Sequence, residues 1–182
     1  VDAVHVLDPT FLLERKDYER LIDESKTEDS KGQLFLHILD KTQDKYKFAD
    51  KVAKLKGWKP FEVNCKVDEH EVNEPLELRI QPPIEQWLRA FKDARFIITD
   101  SFHATVFSII FNKPFVVYAN EGRGVARFHS LLSLFGLENR IVNNSEFIDE
   151  SLFQNVTFDD VNVKIELLRL KSLEFLKKGL ES

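Results

Sequence analysis

Apolar residues recur along the chain in two spacings, and the spacings take turns. Short, nearly continuous apolar runs read as buried strands, and apolar residues at i, i+3, i+4 and i+7 read as one face of a helix. Strands are expected at residues 4–7, 33–39, 61–67, 96–99, 114–119 and 140–142. Helices are expected at 16–24, around Phe48, Val52 and Leu55, after Pro82-Pro83 with Ile84, Trp87, Leu88 and Phe91, at 103–111, at 126–135 with Phe128, Leu131, Leu132 and Phe135 inward, and at 159–179. Gly57 and Gly136 stand where helices end, as C-terminal glycines do. Residues 24–32, 68–78 and 143–158 are charged or irregular and read as loops and turns. Strands that alternate with helices imply an α/β fold, a mostly parallel sheet with helices on both faces. Residues 1–182 are expected to form a single Rossmann-like domain. The last helix carries Val163, Leu167, Leu170, Leu173 and Leu176. That stripe is broader than a lone surface helix needs, and it suits a further domain or a second copy of the chain, as in a homodimer.

Composition narrows the function classes. The net charge is −5 and the basic residues are scattered, which argues against a nucleic-acid partner. No apolar run approaches the roughly 18 residues of a membrane span. Cys65 is the only cysteine, so neither a disulfide framework nor a cysteine-based zinc site is expected. His5, His37, His70 and His129 show no paired spacing and the acidic residues are dispersed, so no metal and no cofactor are expected. His129 reads as a helix-surface residue. Neither a Walker loop nor Gly-x-Gly-x-x-Gly is present. The chain opens on Val-Asp-Ala and contains no methionine, which leads us to expect an excised piece of a longer polypeptide.

Candidate chemistry gathers in residues 96–114, FIITDSFHATVFSIIFNKP. An apolar strand turns at Asp100-Ser101-Phe102 into a helix that is apolar nearly all round and therefore buried. Free N–H groups at such a turn, with the positive end of the helix dipole, favour an anion. His103, on the first turn, is placed to act as acid or base on it. Asp100 either orients His103 or caps the helix, and the cap is the favoured role. Ser101 and Thr105 offer hydroxyls to a phosphate or carboxylate, or to the helix start. A serine-hydrolase elbow wants Gly-x-Ser-x-Gly, and Ser101 has neither glycine beside it. The next strand leads into Asn120-Glu121-Gly122-Arg123-Gly124. Arg123 and Arg127, a turn apart, can clamp an anion bidentately at the same sheet edge, or Arg123 can pair with Glu121. Asn120 opens that loop as a further polar contact.

These residues carry a resemblance. Ile98-Thr99-Asp100-Ser101-Phe102-His103-Ala104-Thr105-Val106-Phe107-Ser108, followed by Asn112-Lys113-Pro114-Phe115, resembles the signature of the polysaccharide pyruvyl transferase family. Leu7-Asp8-Pro9-Thr10 before it agrees, as does Arg123-Gly124 with Arg127-Phe128 and Leu131-Leu132 after it. The resemblance implies a GT-B-like architecture of two Rossmann-like halves facing a cleft. This chain would be the C-terminal, donor-side half, and its partner the missing N-terminal half. It implies transfer of a pyruvyl unit from phosphoenolpyruvate to a sugar of a cell-surface polysaccharide as a ketal. The place would be the cytoplasm, at the inner face of the membrane. By this similarity His103 falls on the histidine at the donor. Many members carry Arg-x-His where this chain has Ser101-Phe102-His103, so Arg123 or Arg127 is expected to supply the missing charge. Two other readings stand beside it: a nucleotide-sugar-binding half of a GT-B glycosyltransferase, and a non-catalytic interaction domain of the same fold.

Overall fold

Strands β1 (Leu34–His37), β2 (Pro60–Phe61), β3 (Phe96–Thr99), β4 (Phe115–Tyr118) and β5 (Ile141–Val142) lie side by side in the order β2-β1-β3-β4-β5. All four pairings are parallel, as the alternation of strands and helices requires. The computed structural model describes residues 3–64, 75–119, 124–146, 148–154 and 156–181. Among these the helices are α1 (Arg15–Glu24), α2 (Gln43–Lys56), α3 (Leu76–Arg79), α4 (Ile84–Asp93), α5 (Phe102–Ile110), α6 (Val125–Phe135) and α7 (Phe158–Glu181).

Both faces of the sheet are covered, which is why its strands read as apolar runs without polar alternation. Phe35, Ile97, Phe115 and Val117 point into one core, with residues of α1, α4, α5, α6 and α7. Leu34, Leu36, Phe96, Ile98, Val116 and Tyr118 point into the other, with Phe48, Ala49 and Val52 of α2 and Leu152. Helix α5 is buried from Ala104 to Ile110, and α6 buries Phe128, Leu131, Leu132 and Phe135, both as the spacing predicts. The strand order reverses between β1 and β3. A crevice outside the carboxyl ends of strands at such a reversal is where open α/β sheets collect ligands.

Several expectations need correction. Residues 4–7 form no strand. The Leu7 N–H donates to Ser172 Oγ at 3.0 Å, so a helix side chain, and not a neighbouring strand, takes this backbone. The strand expected at 61–67 pairs with β1 only through Pro60 and Phe61, and residues 65–67 lie outside the described residues. The one-turn helix α3 occupies part of the expected loop at 68–78. Leu55 is exposed, and the inward stripe of α2 is Lys45, Phe48, Ala49 and Val52.

The last helix leaves the apolar stripe read on it uncovered by this domain. Its buried residues are Val161, Ile165, Arg169 and Ser172, while Val163, Leu167 and Leu170 are 60%, 56% and 64% exposed. Leu173 and Leu176 are exposed as well. The reason is polar. Arg169 donates to the carbonyls of Phe11 and Leu13 at 2.6 and 3.1 Å, and Ser172 accepts from Leu7. A coil segment packed on a helix has no ladder to satisfy its backbone, so α7 turns hydrogen-bonding side chains inward to do so.

Candidate functional site

The carboxyl end of β3 is held by its own side chains. Thr99 Oγ1 donates to the His37 carbonyl at 2.6 Å and accepts from the Ser101 N–H at 3.0 Å. Ser101, not Asp100, is the N-cap of α5, its hydroxyl accepting from the Ala104 N–H at 3.4 Å. Its carbonyl receives both the N–H and the hydroxyl of Thr105, at 3.0 and 2.9 Å. Ser101 and Thr105 are buried, and both hydroxyls are engaged in starting the helix. The Phe102 and His103 N–H groups are the first-turn donors left over.

Asp100 turns the other way, across the crevice between β3 and β1. Its carboxylate accepts from the N–H groups of Leu39 and Asp40 at 2.7 and 2.9 Å and from Lys45 Nζ at 2.6 Å. Lys45 is 2% exposed, and its ammonium also reaches the Asp40 carbonyl at 2.9 Å and the Asp40 carboxylate at 3.3 Å. Asp100 thus ties the loops after β1 and β3 together, with the N–H pair that an external anion would otherwise find.

His103 stands apart from that tie. It is the second residue of α5, and its side chain is 65% exposed. The carboxylate beside it comes from Asp8, whose Oδ2 lies 3.9 Å from Nε2, within ion-pairing reach but beyond a hydrogen bond. The other oxygen of Asp8 accepts from the Thr10 N–H at 2.9 Å, capping the 3-10 turn Pro9–Leu12. Asp8 therefore occupies the place beside the imidazole that the sequence suggested for Asp100. Nothing local pointed to it, because 95 residues separate the two partners.

Arg127 meets this corner from α6. Its guanidinium lies over the Phe102 ring at 5.7 Å, one residue from His103. Asp8, Phe102, Arg127, Ser130, Leu131 and His5 are among the walls of a cavity of about 320 Å³. Gly124 shapes the approach: its φ is +75°, and a Cβ there would come within 3.2 Å of Arg127 Nε. A side chain at this position would be strained and would press on the guanidinium. Asn120 and Arg123 lie outside the described residues. His129 is on the exposed face of α6, as expected. Among the described residues no group of three His, Cys, Asp or Glu side chains is arranged to hold a metal ion, and no helix is long and apolar enough to cross a membrane.

His37, at the carboxyl end of β1, was passed over on its spacing. Its Nδ1 accepts from Trp87 Nε1 at 3.2 Å, so the neutral ring carries its proton on Nε2. Burial pushes its pKa down from 6.5 to about 4, against a weaker upward pull from the Asp100 carboxylate. The folded value lies below the unfolded one, so the unfolded chain protonates first. Stability is full above the unfolded value and falls as pH drops through the window between them. Urea unfolding should lose about 2 kcal/mol between pH 7.5 and pH 5 through this group. The loss should be absent from the pH–stability curve of His37→Gln, and an identical slope in that variant would exclude His37 as its source.

The fold and this corner define a Rossmann-like domain whose central strand–helix turn brings an imidazole, a carboxylate and a guanidinium to one edge of the sheet. The sequence model of the polysaccharide pyruvyl transferase family matches residues 1–122, more than half of the chain and all of the turn. The chain belongs to that family. No curated protein matches it.

Proposed function

We propose that this chain is the donor-side domain of a pyruvyl transferase that builds a pyruvate ketal on a cell-surface polysaccharide from phosphoenolpyruvate, at the cytoplasmic face of the membrane. A second Rossmann-like half would close the cleft opposite it. His103 protonates the methylene carbon of the donor, and a sugar hydroxyl adds to the neighbouring carbon as positive charge develops there. The carbon–oxygen bond to phosphate breaks, and a second hydroxyl of the same sugar closes the ketal. The two hydroxyl protons balance the one delivered to carbon and the one that leaves with phosphate. Arg127 and the first-turn N–H groups of α5 receive the carboxylate and phosphate charge. Asp8 is the ion-pair partner of the imidazolium.

Support comes above all from two contacts at the start of α5: Asp8 lies 3.9 Å from His103, and Arg127, which lines one cavity with Asp8, lies over the ring of Phe102. A calorimetric titration tests the donor. Phosphoenolpyruvate should bind, and Arg127→Ala should weaken it about 10- to 100-fold, the loss of a charge-assisted contact. Binding of a nucleoside diphosphate in place of phosphoenolpyruvate would make the chain a glycosyltransferase half. Undiminished donor affinity in Arg127→Ala would remove that residue from the site.

A further inference from the structure

At the carboxyl end of β1, on the far side of Trp87 from α5, lies a hollow of about 270 Å³ that the donor chemistry does not use. His37, Trp87, Asn64, Gln81, Pro82 and Ile84 wall it. We infer that this hollow is a subsite for a neutral sugar ring, and that it seats the acceptor. The assignment as acceptor place rests on the transfer reaction proposed above; the binding of a sugar does not.

The wall explains the ligand class. Among the described residues none with a formally charged side chain lines the hollow, apart from His37, which is held neutral by its burial. An anion would find no counter-charge among these side chains, so they do not suit phosphoenolpyruvate. What the wall presents is an indole, a proline and two aliphatic side chains beside an imidazole and two carboxamides, of which Asn64 also donates to the Glu62 carboxylate at 3.1 Å. A pyranose has the matching surface: an apolar face of C–H groups that packs on aromatic and aliphatic carbon, and an edge of hydroxyls that both give and take hydrogen bonds. Asn and Gln each carry donor and acceptor in one plane. His37 adds one N–H of fixed identity, because the indole N–H occupies Nδ1 and leaves the proton on Nε2. The hydrogen bond and the edge-on contact at 5.4 Å between ring centroids hold imidazole and indole as one rigid wall.

The hollow is also in the right quarter of the molecule. Trp87 meets Phe107 edge-on, with ring centroids 5.0 Å apart. Phe107 is four residues beyond His103 on α5, hence on the same side of that helix. The hollow and His103 therefore stand at the carboxyl ends of adjacent strands, with Trp87 between the hollow and the helix that carries His103.

The test uses tryptophan emission. The chain has two tryptophans, and Trp58 sits in the opposite core against Phe96 and Phe153, so Trp58→Phe leaves Trp87 as the sole reporter. Methyl glycosides of galactose, glucose and mannose are titrated without phosphoenolpyruvate, with glycerol as control. At least one glycoside should shift the emission saturably with a millimolar dissociation constant, and glycerol should not. His37→Phe should weaken that binding about tenfold, and His37→Gln, which can still accept from the indole and donate to the ligand, should restore it. Should His37→Phe fail to fold by circular dichroism, Gln81→Ala on the exposed rim serves, with a loss of about threefold or more. No saturable response to any glycoside, undiminished affinity in His37→Phe or its substitute Gln81→Ala, or saturation by uridine or adenosine alone would overturn the subsite. Intact sugar binding beside absent phosphoenolpyruvate binding would instead count against the donor reading and leave the sugar subsite standing.

Discussion

Replacing His103 by alanine is expected to slow ketal formation about 100- to 10,000-fold, the range of a lost general acid. That is about 3–5 kcal/mol of transition-state stabilisation. Unfolding stability should stay within about 0.5 kcal/mol of the unmodified chain. The two halves of the expectation come from the same geometry. The imidazole is mostly exposed, and Asp8, its ionic neighbour among the described residues, is 3.9 Å away. Such a group carries little of the fold, yet it stands where a donor bound at the start of α5 would present its reactive carbon. Because protonation is felt in the transition state and not in the ground state, the loss should fall on kcat, with KM for phosphoenolpyruvate nearly unchanged. Asp8→Asn is the companion variant. It keeps an oxygen to cap the Pro9–Leu12 turn and removes the charge, so it should cost about tenfold in rate. Measured with phosphoenolpyruvate and a glycan acceptor, unchanged turnover in His103→Ala would strip that residue of its role, whatever the family membership.

The parts of this molecule that were legible in its sequence are those set by short-range periodicity. The run Phe96–Thr99 and the all-round apolar helix after it could only be a central strand and a buried helix, and both are. The glycines at 57 and 136 marked helix ends because a left-handed residue is needed there, with φ of 63° and 71°. What escaped was long-range. The neighbour of His103 is set by how residues 3–13 cross α5 and α7, and no local spacing encodes that crossing. The same crossing decides which face of α7 this domain buries. Its outward stripe of valine and leucines is the more apolar one, so periodicity alone chose it. The inward stripe includes an arginine and a serine because the coil beneath needs donors and an acceptor. His37 has no metal-pairing spacing in the sequence, and its place at the end of a core strand is what buries it. Asp100 was read as a cap because it precedes a helix, and Ser101, one residue on, took that place.

Asp100→Ala should destabilise the domain by about 3–5 kcal/mol, the cost of leaving a buried charge without its partner. The size follows from what is stranded. Lys45 would keep only Asp40 as acceptor, and the Leu39 and Asp40 N–H groups would lose theirs. Against a total of about 5–15 kcal/mol, this brings the chain close to unfolding. Asp100→Asn combined with Lys45→Met removes both charges together and should recover a large part of the loss, since the cost lies in the unpaired ion more than in the absent pair. Urea unfolding of the two single variants and the double variant gives the coupling directly, and additive losses would mean that the carboxylate and the ammonium act separately. The rate measurement separates the tie from chemistry. If Asp100 only joins the two loops, the folded fraction of Asp100→Asn should turn over at close to the normal rate. A large fall in kcat at unchanged stability would return Asp100 to the catalytic group. The tie also bears on where a donor can go. The reversal between β1 and β3 is the usual ligand crevice of such a sheet, and here its N–H groups are already answered by the protein's own carboxylate. Under the proposed function an incoming phosphate goes to the α5–α6 side, where Arg127 lies over the ring of Phe102.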